Sequence, residues 1–220
     1  MNLSKNNIFL INLDRSKRRL REAKKHYGKE NMEFTRFSAI DGRRLPFEQL
    51  FKNNIIKRGR FNEDVWLGTI ACAFSHMKIF DIMVKKNIDV ALILEDDTKP
   101  CKGFMKKLNK YIKDVPEDWN MINLSGALKM REPKGAKGIP IKNNIYKPNK
   151  VLCTGLAGYL IKKECAEILL KFLIPLRKEI DLQIRELYDK QLKIYIIYPG
   201  LIEQRWDLGY DRIGDSFINF

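Results

Sequence analysis

Short apolar runs and longer amphipathic stretches alternate along the chain. The runs within residues 7–13, 89–96 and 192–199 are short and largely apolar, which predicts strands buried on both faces of a sheet. Residues 67–87 instead repeat apolar side chains at spacings of three and four, which predicts an amphipathic helix with Thr69 as its N-cap. Strands that alternate with helices in this way predict an α/β layered fold.

The remaining segments extend this pattern. Further strands are predicted at 32–42, 119–126 and 154–161. Further helices are predicted at 14–28, 102–116, 162–176 and 179–191, with a short one inside 43–66. Residues 129–150 are rich in Lys, Pro and Gly without an apolar period, so we expect a long loop or a short hairpin there, and a candidate lid.

Length and composition fit one domain of generous size. The chain has 220 residues, and the 45% that are hydrophobic are enough for a sizeable core. No run of about 18 apolar residues occurs, so no membrane span is predicted. The apolar run at 8–13 is too short for a signal peptide, so the chain is expected to start in the cytoplasm. The four cysteines stand far apart without a CxxC pair, and free thiols are expected.

The net charge of +15 is unevenly distributed. An excess of basic side chains suits the binding of nucleic acid, an anionic membrane face or a phosphorylated ligand. Solvated surface lysines without a binding role explain the excess equally well. Residues 61–100 are the exception, with seven acidic and four basic side chains. This acidic segment contains three consecutive carboxylates at 95–97, directly after a predicted buried strand.

Glu95, Asp96 and Asp97 form a candidate metal site. Alternate side chains of a strand point to the same face, so we expect Glu95 and Asp97 to project together, with Asp96 opposite or turned by the loop. A divalent cation relieves the repulsion between two converging carboxylates, and such hard oxygen ligands suit Mg²⁺ or Mn²⁺. Open α/β sheets bind ligands at the carboxyl ends of their strands, where this cluster lies. An acidic solvated turn is the plainer alternative.

Other polar groups are expected at the same edge of the sheet. Asn12 and Arg15 follow the first strand, and an arginine fork matches phosphate oxygens. Asp41 ends the second strand and could accept hydrogen bonds from a base or ribose, although a plain Asp-Gly turn is the alternative. Ser75 and His76 lie inside the long predicted helix, where a ligand contact competes with ordinary packing.

Motifs that the sequence lacks disfavour several enzyme classes. It contains no GxxxxGK[ST] or GxGxxG loop, so P-loop kinases and Rossmann dehydrogenases lose support. It also contains no GxSxG, the usual signal of an α/β-hydrolase.

Seven segments occur in an order that resembles glycosyltransferase family 25, the bacterial lipooligosaccharide galactosyltransferases and their collagen galactosyltransferase relatives. The segments are IFLINLDRSKRR, FSAIDG, LGTIACAFSHMKIF, LILEDD, INLSG, TGLAGYLIKKECAEILL and IDLQI, and they lie within residues 7–205. The most specific part is a Ser-His pair followed some 20 residues later by LILEDD. The family's usual LSH is FSH here, and its usual GEIGC is GTIAC.

The resemblance implies a GT-A-type nucleotide-sugar-binding fold with a mixed, mostly parallel central sheet flanked by helices. It implies a single glycosyltransferase domain over residues 1–220, in which the half to about 125 binds the nucleotide sugar and the half from about 126 binds the acceptor. Asp97 would hold Mn²⁺ or Mg²⁺ on the diphosphate of a UDP-sugar, and Glu95 would face the ribose or the metal. Asp96 would contact the nucleotide sugar or only shape the turn.

The resemblance also implies roles for the other polar groups. The residues that would hold the uridine are Asn12, Arg15 and Asp41. Ser75 and His76 would lie near the diphosphate or the sugar. Transfer with inversion needs a general base for the acceptor hydroxyl, and Asp181 is the candidate, because the family places an acidic residue there. A plain helix N-terminal charge is the alternative for Asp181. Gln204 and Asp207 could close over the donor or complete the metal shell.

Two classes of function remain open from the sequence. One is a metal-dependent, inverting β-galactosyltransferase that moves galactose from UDP-galactose to a lipooligosaccharide or lipopolysaccharide acceptor. It would work in the cytoplasm at the inner face of the membrane, whose anionic lipids would attract the basic surface. The other is a basic nucleic-acid-binding protein without transferase activity, which explains the charge but not a carboxylate cluster that would repel phosphate. We therefore expect a nucleotide sugar and a lipid-linked oligosaccharide as partners, and no nucleic acid.

Overall fold

The computed structural model of the chain describes residues 2–57, 63–125, 138–148 and 155–205. The helices in these ranges are α1 (Lys17–Gly28), α2 (Phe47–Lys52), α3 (Glu63–Lys85), α4 (Phe104–Tyr111), α5 (Lys163–Phe172) and α6 (Ile180–Ile184). The strands are β1 (Ile8–Asn12), β2 (Thr35–Ser38), β3 (Val90–Glu95), β4 (Thr98–Pro100), β5 (Met121–Asn123), β6 (Ile139–Lys142), β7 (Ile145–Lys147), β8 (Gly158–Lys162), β9 (Ile194–Ile197) and β10 (Ile202–Gln204).

Eight of these strands form one sheet in the order β2-β1-β3-β8-β5-β9-β7-β6. β1 pairs in parallel with β2 and β3, and β5 pairs in parallel with β9. β8 is inserted between β3 and β5 and runs antiparallel to both. Within the described residues, only β7 and β8 oppose the other strands of this sheet. The mixed, mostly parallel sheet that was predicted is therefore confirmed.

Helices cover both faces of the sheet. Neighbouring side chains of a strand point to opposite faces, and β1 and β3 follow this rule. Phe9 and Ile93 pack with the buried faces of α3, α5 and α6, whereas Leu10 and Leu92 pack with those of α1 and α4. The strands are buried on both faces for this reason, which is why they are apolar nearly throughout.

The helix α3 is the central helix of one layer. Its segment Trp66–Lys85 is long and apolar enough, by length and composition alone, to cross a membrane. Inside the domain, however, Ile70, Ala73 and Phe80 are fully buried in the core that α3 shares with α5. Packing against the sheet and α5 accounts for the apolar composition of this helix.

Two predicted element boundaries were wrong. α3 begins at Glu63, so Thr69 lies inside the helix instead of capping it. The buried face of this helix extends towards its N-terminus as far as Trp66. That side chain is buried, and its indole Nε1 donates to the Lys57 carbonyl at 3.1 Å. The helix predicted at 179–191 ends at Ile184, because a 3₁₀ turn and the positive φ of Asp189 reverse the chain there.

The sequence pattern did not predict β4 and β10, which pair with each other antiparallel. β10 also packs against the start of β8, where a Cβ on Gly158 would lie only 2.9 Å from Ile202 Cγ2. Within 129–150, the described part forms the β6–β7 hairpin, which is the shorter of the two predicted alternatives. The rest of that segment and Asp207 lie outside the described residues, and the lid stays a prediction.

Candidate active site

Asn12 and Asp96 join the carboxyl ends of β1 and β3. Asn12 Nδ2 donates to Asp96 Oδ2 at 2.7 Å, and Arg19 Nη1 of α1 donates to Asp96 Oδ1 at 3.1 Å. Asn12 Oδ1 in turn accepts from Arg36 Nε of β2 at 2.8 Å. Burial raises the pKa of Asp96, and the Asn12 and Arg19 contacts oppose that rise. Asn12 and Asp96 thus hold the sheet edge together, and their predicted contact with a nucleotide stays a prediction.

Asp97 and Glu95 form a carboxylate pair beside this junction. Asp97 Oδ2 accepts from Gln204 Nε2 at 3.1 Å, while Asp97 Oδ1 is buried and has no hydrogen-bond partner among the described residues. Burial raises the pKa of Asp97, and the negative charge of Glu95 raises it further. β3 ends at Glu95, so Asp97 lies in the turn that follows the strand, and the alternation of strand side chains does not extend to it. The negative charge of Glu95 still disfavours the ionised form of Asp97.

This pair has the chemistry of a divalent-cation site. A buried carboxylate oxygen without a partner is costly, and a cation that binds it removes both that cost and the repulsion from Glu95. Gln204 reaches Asp97 because β10 pairs with β4 in a register that sets Gln204 opposite Thr98. The donor set of hard oxygens fits Mn²⁺ or Mg²⁺.

Asp41 lies between two arginines after β2. Arg15 Nη1 pairs with Asp41 Oδ2, and Arg43 Nη2 reaches the same oxygen at 2.6 Å. The hydrogen bonds from Arg43, and then that from Arg15, hold the pKa of Asp41 well below its usual range. Asp41 also caps a 3₁₀ turn through the Arg43 backbone N–H. Arg15 Nη2 is buried and lacks a hydrogen-bond partner in the described part of the chain, so it remains available to an anionic ligand.

Ser75 and His76 are both buried in α3. Ser75 Oγ donates to the carbonyl one turn earlier at 2.7 Å and accepts from the Ile40 N–H at 2.9 Å, which ties the loop after β2 to the helix. His76 Nδ1 pairs with the Tyr159 hydroxyl at 2.7 Å, and His76 Nε2 lies 3.5 Å from Glu95 Oε1. His76 therefore adjoins the carboxylate pair, whereas Ser75 is occupied by backbone partners. Their contact with a ligand stays a prediction.

Asp181 lies in the first turn of α6. Its Oδ2 accepts from the Gly155 N–H at 2.9 Å and its Oδ1 from the Leu182 N–H at 2.8 Å. Burial raises the pKa of Asp181, the hydrogen bonds from the Gly155 and Leu182 N–H groups oppose that rise, and the charges of Glu179 and Glu95 add to it. Asp181 also lines a small cavity beside the start of β8. It both stabilises the local backbone and has the raised proton affinity of a general base, so both alternatives remain.

Several contacts of this site were not predicted from the sequence. Tyr159 and Arg36 were missed, although each fixes a predicted site residue. Period-two alternation in β8 could have assigned Tyr159 to the face of α3, because buried tyrosine hydroxyls require a partner. The identity of that partner could not be found, since His76 lies 83 residues away in the sequence.

The profile of glycosyltransferase family 25, described as an LPS biosynthesis protein, matches residues 5–184 of the chain. The chain belongs to glycosyltransferase family 25. The matched span includes Asn12, the carboxylates at 95–97 and Asp181. The resemblance seen in the sequence is therefore confirmed, and the chain is a glycosyltransferase. The α/β class with a mixed sheet flanked by helices is the one predicted.

Individual relatives agree with the family. A Haemophilus influenzae protein that is provisionally named a glycosyltransferase is 28% identical over 216 residues, which cover 96% of this chain and 74% of that protein. Procollagen galactosyltransferase 2 of mouse and of human is 27% identical over 168 residues, which cover 73% of this chain. The chain spans only 26% of the length of those two relatives.

Two solved structures also match most of the chain at low sequence identity. One is a glycosyltransferase involved in the glycosylation of the major capsid of PBCV-1, with a TM-score of 0.47 and 11% identity over 90% of each chain. The other is mouse xyloside xylosyltransferase 1 in its apo form, with a TM-score of 0.40 and 11% identity. That match covers 89% of this chain and 74% of the mouse chain.

Proposed function

We propose that this family 25 enzyme is a metal-dependent, inverting β-galactosyltransferase that moves galactose from UDP-galactose to a lipooligosaccharide or lipopolysaccharide acceptor. The observation that carries the proposal is the Glu95–Asp97 pair, in which Asp97 Oδ1 is buried without a partner among the described residues. The galactosyltransferase names of two relatives support the donor, and the family description supports the acceptor.

Glu95 and Asp97 would hold Mn²⁺ or Mg²⁺ at the carboxyl edge of the sheet. When bound, the cation supplies a positive charge that stabilises the charge developing on UDP as it leaves. Gln204 fixes one oxygen of Asp97 and leaves the other for the cation. The hydrogen bonds of Asn12 and Arg19 to Asp96 keep the turn in place, so the two ligands are positioned before the donor arrives.

Arg15 and Asp41 would recognise the nucleotide next to this pair. Arg15 is fixed by one nitrogen on Asp41 and presents its other terminal nitrogen, Nη2, without a partner in the described structure. A guanidinium fixed in this way loses little freedom when it binds phosphate or ribose oxygens. Asp41 remains ionised because of Arg43 and Arg15, so it can accept hydrogen bonds from the uridine.

Asp181 would act as the general base. The acceptor hydroxyl oxygen forms a bond to the anomeric carbon of galactose on the face opposite UDP, and the bond from that carbon to the UDP oxygen breaks. The electron pair of that bond leaves with UDP, and the hydroxyl proton passes to Asp181. Burial raises the pKa of Asp181, which favours its role as a proton acceptor.

The expected setting is the cytoplasmic face of an anionic membrane. The net charge of +15 supports a peripheral association through lysines and arginines, because each basic side chain near such a surface adds about 1 kcal/mol of attraction. The alternative, a nucleic-acid-binding protein without transferase activity, is disfavoured by family membership and by the carboxylate pair, which would repel phosphate.

Thermal unfolding in the presence of different UDP-sugars tests the donor. We expect UDP-galactose with Mn²⁺ to raise the melting temperature more than UDP-glucose or UDP-N-acetylglucosamine, because a ligand that binds only the native state stabilises it. The product with a lipooligosaccharide acceptor should carry β-linked galactose. Preferential stabilisation by another UDP-sugar would contradict the donor, and equal stabilisation in EDTA would contradict the metal.

A further inference from the structure

Cys72 and His76 lie four residues apart on α3, so they share one face of the helix. That face is directed at Glu95, at the end of β3. Cys72 Sγ lies 3.9 Å from Glu95 Oε1, and His76 Nε2 lies 3.5 Å from the same oxygen. The three potential ligand atoms all lie within 4.8 Å of one another. None of the roles proposed above for the carboxylate pair uses the thiol.

His76 carries the second observation that indicates a ligand. Its side chain is fully buried, and its Nε2 has no hydrogen-bond partner within the described ranges. The other ring nitrogen, Nδ1, is fixed by the Tyr159 hydroxyl at 2.7 Å. When Nδ1 carries the proton and donates it to Tyr159, the lone pair of Nε2 points at Glu95 and Cys72. This is the arrangement found in metal-ligating histidines, whose second nitrogen is oriented by an outer hydrogen bond.

We propose that Cys72, His76 and Glu95 form a binding site for a borderline-soft divalent cation, with Zn²⁺ as the best fit. A thiolate, an imidazole and a carboxylate are the ligands that Zn²⁺ takes in proteins. Tetrahedral zinc with ordinary bond lengths keeps its ligand atoms roughly 3.4–3.6 Å apart. The two contacts of Glu95 Oε1 are close to this spacing, and a rotation of the exposed Cys72 side chain completes it.

The binding step is balanced by proton release. Cys72 binds as a thiolate, so its proton passes to solvent when the cation enters. With three protein ligands, the fourth coordination position would be left to a water molecule.

The proposed zinc site differs in its ligands from the Glu95–Asp97 site that would hold Mn²⁺ or Mg²⁺. It contains nitrogen and sulfur and lacks Asp97, whereas Mn²⁺ and Mg²⁺ prefer oxygen ligands. Glu95 is common to both. A cation on Cys72 and His76 would therefore withdraw Glu95 from the nucleotide metal, a consequence that rests on the proposed function.

Cobalt titration of the metal-free protein tests the site, because Co²⁺ replaces Zn²⁺ and absorbs in the near ultraviolet when a thiolate binds it. The wild-type chain should bind one Co²⁺ with this absorption and release it to Zn²⁺, but not to equal concentrations of Mn²⁺ or Mg²⁺. Cys72→Ser should lose the absorption and bind Co²⁺ at least about tenfold more weakly. The matched control, Cys101→Ser, removes a partly exposed thiol elsewhere and should bind like the wild type.

Two further measurements distinguish loss of this site from loss of folding and from failure of the proposed function. The melting temperature of metal-free Cys72→Ser should lie within about 2 °C of the wild type, because the side chain is exposed. Asp97→Asn should keep the cobalt absorption even though it loses Mn²⁺-dependent UDP binding, so failure of this site and failure of the proposed function are distinguishable. The proposal is overturned if wild type shows no thiolate absorption, if Cys72→Ser retains it, or if Cys101→Ser or Asp97→Asn loses it.

Discussion

The side-chain amide of Asn12 donates to the carboxylate of Asp96 at 2.7 Å, although the two residues lie 84 positions apart in the sequence. This hydrogen bond joins the ends of two neighbouring parallel strands, β1 and β3. The turn that carries Asp97 starts at this junction. The position of the candidate metal ligands therefore depends on a buried polar contact that is not itself part of the chemistry.

Replacing Asp96 with Ala tests this structural role. The change removes the acceptor of both Asn12 and Arg19 at a buried position, so we expect the free energy of unfolding to fall by about 2–4 kcal/mol. Urea denaturation measures this loss. The control Asp89→Ala removes a carboxylate whose side chain is 84% exposed, and it should have no measurable effect. Similar losses in both variants would show that the junction contributes nothing.

Asp41 should make stability depend on pH in one direction. Its folded-state pKa is lowered by Arg43 and Arg15, so its contribution is fully present above the unfolded pKa of about 3.9 and is lost progressively as pH falls from there through the lower folded-state pKa. We expect Asp41→Asn to be less stable than the wild type by about 1 kcal/mol at neutral pH. The difference between the two proteins should shrink steadily as pH falls below about 4 in urea titrations. A difference that is constant with pH would contradict the ion-pair account.

Asp181→Asn should separate chemistry from donor binding. Loss of a general base lowers kcat by roughly 10²–10⁴-fold, whereas UDP binding with Mn²⁺ should be unchanged because Asp181 does not contact the nucleotide in the proposed mechanism. Steady-state transfer assays and UDP titrations measure the two effects separately. A kcat within about threefold of the wild type would contradict the role of general base. Asp181 would then have only a structural role, in which its two oxygens accept the backbone hydrogen bonds of Gly155 and Leu182.

Asp97→Asn should stabilise the metal-free protein. Burial and the charge of Glu95 raise the folded-state pKa of Asp97, so the ionised form destabilises the native state at neutral pH, and stability rises as pH falls towards the unfolded pKa. The neutral amide can still accept the hydrogen bond from Gln204. We expect a gain of about 1 kcal/mol in EDTA, measured by urea denaturation. Asp189→Asn, which removes the partner of two lysines, should give no gain. A less stable Asp97→Asn protein would contradict this prediction.

The sheet, its helices and the carboxylate cluster were predictable from the sequence because each has a local pattern. Buried strands such as β1 and β3 are apolar runs, and the cluster follows β3 directly. β4 and β10 are three residues each and exist through their mutual pairing, which leaves no periodic pattern in either segment. The apolar spacing that starts at Ile70 predicts a cap at Thr69, whereas α3 begins at Glu63 and already includes the buried Trp66.

The partners of the site residues were less predictable than the site residues themselves. Strand alternation predicts that Glu95 and Asp97 project together, but β3 ends at Glu95, so the turn and not the strand sets the position of Asp97. The contacts of Gln204 with Asp97 and of Tyr159 with His76 depend on the register of distant strands, which a single sequence does not encode locally. Polar networks of this kind therefore have to be read from the folded chain.

The most direct test of the account is the binding of UDP to wild type and to Asp97→Asn, each measured by calorimetric titration with Mn²⁺ and with EDTA. The account predicts that Mn²⁺ strengthens UDP binding to the wild type by at least about tenfold, and that Asp97→Asn binds UDP equally weakly in both conditions. The control Asp89→Asn should behave like the wild type, because its carboxylate is exposed. Undiminished Mn²⁺-dependent UDP binding by Asp97→Asn would contradict the assignment of Asp97 as a metal ligand.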